Sequence, residues 1–170
     1  VKMSTDNKKF PIDIDGSDVM SKVLLDLLNN FPGLANKKIE FSSLSENSGI
    51  GFFPSSGAVI TSQKRDITDH VKQNCSYPFD IVYREAPTTE KQRLRIKEFL
   101  DALGKWLEKQ TITISGKEHK LESYPELSSD SRTITSINRT TPAYLNSVLD
   151  DGIENWVLSV NLRYDNEFDL

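Results

Sequence analysis

Between Trp156 and Tyr164 apolar residues fall on every second position. Trp156, Leu158, Val160, Leu162 and Tyr164 share one phase; Ser159, Asn161 and Arg163, with Val157, share the other. A β-strand turns successive side chains to opposite faces, so this run reads as a strand with one face in a core and the other in water. Such a strand suits an antiparallel sheet covered on one side only. Whatever covers it needs an apolar stripe of its own, and two other segments carry one.

The first is a helix expected over residues 18–30, with Ser17 as N-cap. At about 100° per residue, Val19, Met20, Val23, Leu24, Leu27, Leu28 and Phe31 fall within half its circumference, with Lys22, Asp26 and Asn29 opposite. Pro32-Gly33 ends it. The second helix is expected over residues 90–109, where Thr89-Glu90-Lys91-Gln92 follows Pro87 as a capping box. Its stripe is Ile96, Phe99, Leu100, Leu103, Trp106 and Leu107, while Leu94 projects from the charged side.

Further strands are expected at Ile39–Phe41, at Gly51–Phe53 before the turn Pro54-Ser55-Ser56-Gly57, and at Ala58–Thr61. Three more are expected at Phe79–Tyr83, Thr111–Ser115 and Thr133–Asn138. Short turns between the early strands suggest an antiparallel meander. The polar residues 62–76 fit either a long hairpin or a loop, and residues 116–131 read as turns. Loose ends are expected at 1–16, with a short extended piece at Phe10–Ile14, and at the acidic 165–170. The assembled expectation is one α+β domain over 1–170, a single antiparallel or mixed sheet of about five to six strands with two main helices packed on one face.

A chain of 170 residues can bury a core without disulfides or metal. No apolar run approaches the ~20 residues of a membrane helix, and no signal-peptide pattern opens the sequence. The single cysteine excludes a disulfide framework and a multi-cysteine zinc site. Composition alone reads as a cytosolic globular domain. The first hundred residues hold 14 basic and 13 acidic residues, the last seventy 7 and 12. That balance argues against sequence-independent nucleic-acid binding, which needs clustered Lys and Arg.

Catalytic patterns are missing. His70 and His119 lie in polar segments outside any metal-binding spacing, and exposed histidine is the plain reading. Cys75 has no motif of a thiol nucleophile around it, and no serine sits in a G-x-S-x-G elbow. Gly49-Ile50-Gly51 begins a G-x-G pattern, but Pro54 follows where a helix would have to open. Asn74-Cys75-Ser76 and Asn138-Arg139-Thr140 match a glycosylation acceptor by chance. No cofactor is implied.

Four stretches, in order, carry a resemblance: Gly49-Ile50-Gly51-Phe52-Phe53-Pro54-Ser55-Ser56-Gly57-Ala58; Pro78-Phe79-Asp80-Ile81-Val82-Tyr83; residues 95–108, from Arg95-Ile96-Lys97-Glu98-Phe99-Leu100 to Trp106-Leu107-Glu108; and Ser136-Ile137-Asn138-Arg139-Thr140-Thr141-Pro142-Ala143-Tyr144-Leu145. Over roughly residues 17–165 the chain resembles the phage minor capsid protein family that is similar to tail terminator proteins. The resemblance rests on order and texture, since none of these motifs is chemically diagnostic. It implies a non-enzymatic virion component of a tailed phage, prophage or phage-tail-like bacteriocin particle, assembled in the bacterial cytoplasm. Its expected partners are copies of itself in a hexameric ring, the tail tube protein, and neck or connector proteins. DNA is expected to pass through the ring without specific binding, and no membrane is involved. The polar segment 63–73 is long for that family.

A head-to-tail interface closes into a ring when its rotation closes, and it needs two different patches on each subunit. The candidates are the turn Phe53, Pro54, Ser55, Ser56 and Gly57; the segment Arg139, Thr140, Thr141, Pro142 and Tyr144; and Leu94 with Lys91 and Arg95. Plain turn chemistry competes with an interface role at the first two. Acidic groups near the C-terminus are expected to meet the basic residues across a subunit boundary. The alternative is a small enzyme or ligand-binding domain with a helix–sheet pocket using Cys75 or His119.

Overall fold

A computed structural model describes residues 11–127 and 130–170. Expectations for residues 1–10 lie outside it.

The first helix, α1, spans Ile14–Asn29 and starts a turn earlier than Ser17 suggested. Asp13 is its N-cap, with its carboxylate accepting from the Gly16 N–H at 3.0 Å. The Ser17 hydroxyl is engaged elsewhere, accepting from the Ala58 N–H at 2.7 Å. Residues 13–16, expected in a loose end, therefore belong to the helix and its cap. Beyond α1, the Asn29 side chain accepts from the Ile39 N–H at 2.9 Å and donates to the Ile39 carbonyl at 3.0 Å.

The strands are β1 (Ile39–Phe41), β2 (Gly49–Pro54), β3 (Val59–Arg65), β4 (His70–Glu85), β5 (Ile112–Ile114), β6 (Lys117–His119), β7 (Arg132–Arg139), β8 (Tyr144–Val148) and β9 (Glu154–Asp169); α2 (Glu90–Leu107) lies between β4 and β5. Seven of them form one mixed sheet, and β5 and β6 form a separate hairpin. The α+β expectation holds, with more strands than expected. The meander does not hold. β1 pairs parallel to β2, and β2 and β3, consecutive in the chain, both line the same edge of β4.

The centre of the sheet is a ladder of β4 against β9, sixteen residues each, in unbroken register from His70↔Asp169 to Glu85↔Glu154. The polar residues 62–76 are the long hairpin: Gln63 faces Gln73 and Arg65 faces Val71. Asp66 closes its turn by accepting from the N–H groups of Thr68 and His70. The acidic end is likewise not loose, since β9 runs to Asp169. Lys72 and His70 stand beside Asp165, Glu167 and Asp169, so cross-strand charge pairs hold what composition alone reads as a tail.

Two short strands lie end to end along each outer edge of this ladder. β2 covers residues 79–84 of β4, and β3 covers 71–76. Pro78 sits at the gap between them, and its carbonyl accepts from the Ser55 N–H at 3.0 Å. Carbonyl and amide nitrogen of one strand residue point to the same edge, so the missing proline N–H faces the gap where the neighbouring strand breaks. On the other side β8 covers 154–157 of β9, and β7 covers 160–166.

Both helices lie on one face of the ladder. Cys75, Tyr77, Phe79, Ile81 and Tyr83 of β4, with Leu158, Val160, Leu162 and Tyr164 of β9, pack against Met20, Leu24 and Leu28 of α1 and Ile96, Leu100 and Leu103 of α2. Phe31 joins the helices, its ring 5.6 Å from Phe99 and 5.5 Å from Trp106. The α2 cap is the expected box with one change. Thr89 accepts from the Gln92 N–H, but the Gln92 side chain returns to the N–H of Thr88. Thr89→Ala is expected to cost about 1 kcal/mol, read as a lowered urea midpoint with an unchanged slope.

Candidate interaction surfaces

One cluster of buried polar groups sits where α1 meets the sheet. Asp13 accepts from Arg132 Nε at 2.8 Å, from Arg132 Nη2 at 2.7 Å and from the Tyr164 hydroxyl at 2.7 Å. Arg132 also reaches Asp130 at 2.9 Å. Burial alone would raise the Asp13 carboxyl, but the bonds from Arg132, Tyr164 and Gly16 outweigh it and hold it below the usual carboxylate value. Every oxygen here has a partner, so the cluster ties α1 to β7 and β9.

Cys75 adjoins this cluster and is only 3% exposed. Burial pushes its thiol up to about 11, and its charged and polar neighbours are Tyr164, Asp13, Arg132 and Asp165, with no histidine among them. A nucleophilic thiol needs the opposite environment. Native protein with excess iodoacetamide at pH 8 is expected to stay unlabelled for hours, and to label fully once unfolded; rapid native labelling by mass spectrometry would count against this environment. His119 lies on β6, in the separate β5–β6 hairpin.

The ladder face away from the helices is mostly polar, with Val82 paired to the buried Val157 on it, and the 43–45 segment lies over one end beside Gly51 and Arg84. Ser159 donates to Asp80 at 2.7 Å, Ser76 to Asn161 at 2.6 Å, and Arg84 Nε to Asn155 at 2.8 Å. Lys72, Arg84 and Arg163 lie on it beside Asp80, Asp165 and Glu167. Opposite charges are interspersed, so neither sign makes a field of its own.

The structure gives two of the three proposed patches equivalent positions. Phe53, Pro54, Ser55, Ser56 and Gly57 bridge β2 to β3 past Pro78, with Gly57 at a φ of 72°. Arg139, Thr140, Thr141, Pro142 and Tyr144 bridge β7 to β8, where the Thr140 N–H donates to the Ser159 carbonyl. This second bridge is stitched to α2. Arg139 makes a two-pronged pair with Glu108 at 3.1 and 3.0 Å, and the Ala143 N–H donates to Asp101 at 3.1 Å. Thr141 and Pro142 are left exposed, as is Tyr144 at the start of β8.

The third patch divides. Leu94, 59% exposed, lines an apolar hollow with Trp156, Glu90, Arg93 and Lys97. At about 100° per residue Arg95 turns to the flank of Phe99 and Trp106, which meets Phe31, while Lys91 lies between that flank and Leu94. The hollow is rimmed by satisfied pairs. Arg93 holds the buried Glu154 at 2.9 Å, and Lys97 holds Asp101 at 2.6 Å.

Further exposed apolar residues lie outside those patches. Leu145 is the cross-strand partner of Trp156, and Leu145, Val148 and Leu149 are exposed along and beyond β8. Phe41 is exposed at the far edge on β1. The signal for β8 was present in Tyr144-Leu145 and Val148-Leu149, two apolar pairs between turn residues.

The β3–β4 hairpin ends in Ile67, fully exposed. Behind it, His70 Nδ1 lies 2.8 Å from Asp169 and Nε2 lies 3.5 Å from Glu167. The C-terminal acids thus already meet partners within their own chain. The bond to Asp169 raises the His70 pKa, with Glu167 and Asp66 adding to it. A raised histidine stabilises below its unfolded value and loses that contribution as pH rises through the folded one. An NMR titration should place the His70 midpoint above that of a free histidine, and Asp169→Asn should bring it down; equal midpoints would refute the pairing.

Comparison with protein-family models and with curated proteins found no match to this chain.

Proposed function

We propose that this chain is a structural virion component, a tail terminator or head–tail joining ring protein of a tailed phage or phage-tail-like bacteriocin, which caps the tail tube and connects it to the neck. The reading starts from the family resemblance of the four sequence stretches. The observation that carries it further is the sheet: both helices cover one face, and the other face is largely polar, with Lys72, Asp80, Asn161, Arg163 and Asp165 on it. A body of this kind offers several distinct surfaces to neighbours, as a capping ring requires. The mixed charge of that face suits a channel lining past which DNA slides without being gripped. The buried, protonated Cys75 gives no support to a thiol-based enzyme.

Deletion of the gene, followed by electron microscopy of induced particles, tests the reading. Tails of uncontrolled length, or complete tails separate from heads, are expected. Normal particles without the protein would end it.

A further inference from the structure

We propose that two copies of this chain pair across a two-fold axis, β8 against β8, with the apolar hollow of Leu94 and Trp156 at the seam. The pairing goes beyond the ring reading and stands without it.

The edges of the seven-stranded sheet are treated unequally. Asn29 closes β1 at Ile39. Pro11 and Ile12 meet the start of β3, and Ser62, Gln63, Lys64 and Arg65 carry on from there as polar and charged residues that discourage another strand. On β7 the Ile137 N–H donates to the Tyr124 hydroxyl at 3.3 Å, and the Arg139 N–H donates to Glu108 at 2.9 Å. β8 has none of these guards. Among the described residues it pairs with β9 alone, and no side chain caps its outer side.

β8 is also the apolar edge. The run Tyr144-Leu145-Asn146-Ser147-Val148-Leu149 sets two apolar pairs around two polar residues, the same pattern from either end. All four apolar side chains are exposed. In a regular strand Leu145 and Val148, three apart, face opposite ways. The bulge between Leu145 and Ser147 changes that: Leu145 stands beside Trp156 and Val148 beside Glu154, both on the helix side. Tyr144, beside Val157, is on the other side, and Leu149 joins it by alternation.

A pattern of that symmetry fits itself, as a two-fold interface requires. Antiparallel pairing about the midpoint of Asn146 and Ser147 sets Leu145 against the partner's Val148 on the helix side, and Tyr144 against the partner's Leu149 on the other. Each contact occurs twice. An axis normal to the sheet keeps both helix layers on one side and turns the two α2 helices antiparallel. Arg93 bonds Glu154 and Leu94 adjoins Trp156, so the axis passes level with the midpoint of Arg93 and Leu94. Glu90 and Lys97 are equally far from that point along α2, on the same flank. Glu90 of each copy therefore stands opposite the partner's Lys97, and two charge pairs bracket the hollow.

The test is disulfide trapping of the full chain with Asn146→Cys, an exposed position beside the axis; the native Cys75 is buried. Mild oxidation should give covalent dimer in a yield well above that from Ile67→Cys, which is fully exposed at the hairpin tip. Adding Val148→Lys to Asn146→Cys should lower the yield about tenfold. Adding Glu90→Lys or Lys97→Glu should each lower it about fivefold, because like charges then meet twice. Mixing those last two variants should restore it as the mixed dimer, identified by mass. Circular dichroism melting confirms that each variant is folded. A yield from Asn146→Cys no higher than from Ile67→Cys, or one indifferent to Val148→Lys, overturns the pairing and leaves the β8 edge to a strand of another protein. Failure of the mixture to recover also overturns it. The particles formed on gene deletion bear on the ring role alone, since a two-fold pair closes on itself.

Discussion

Replacing Asp13 with alanine is expected to cost about 3–5 kcal/mol of folding stability, the usual scale for removing one partner of a buried ion pair. The variant leaves Arg132 with Asp130 alone, the Tyr164 hydroxyl without its acceptor, and α1 without its cap. The three losses fall on α1, β7 and β9 at once, so the effect is global. Urea denaturation at pH 7 reads it as a lowered midpoint; a midpoint within error of the unmodified protein would show that the cluster contributes nothing. The pH dependence has a definite sign. The folded Asp13 carboxyl is held below its ordinary value. Its contribution is therefore complete above the unfolded value of about 3.9, and it fades as pH falls through the lower folded value. The unmodified protein should lose stability steeply below about pH 4, and Asp13→Ala should show a shallower decline there.

Phe52→Ala is expected to lose about 3–5 kcal/mol. Phe52 is fully buried, its ring 5.2 Å from Phe79, 5.4 Å from Phe41 and 6.3 Å from Tyr77. Truncation opens a cavity against the central ladder, and the close-packed rings around it cannot all collapse inward. Phe52→Leu keeps most of the volume and should lose clearly less. A thermal melt of both variants decides it: equal shifts would mean that the ring stack carries no specific weight.

The helices were legible because amphipathic periodicity is local. The α2 stripe from Ile96 to Leu107 is the buried stripe observed. The start of α1 was misplaced because two cap-forming residues, Asp13 and Ser17, lie a turn apart. Only the position of Ala58 decides which of them is free to cap. The C-terminal strand was legible as far as Tyr164, where the apolar alternation stops. Its continuation depends on Lys72 and His70, about ninety residues earlier in the chain. Of the candidate surfaces, the two bridges and Leu94 were visible as turn residues and as a misplaced apolar side chain. Their grouping was not, because helix phase separates Leu94 from Arg95 although they are adjacent in sequence.

By itself the sequence determined the class of fold, two covering helices over strands with one wet face, because side-chain periodicity is a property of consecutive residues. Strand partnership was decided only in three dimensions. The parallel step from β1 to β2, the end-to-end strands on either side of Pro78, and the Asn29 side chain that closes the outer edge of β1 at Ile39 all depend on hydrogen bonds between segments apart in the chain. Backbone donors and acceptors are the same at every non-proline residue, so the order of strands leaves little trace in residue type.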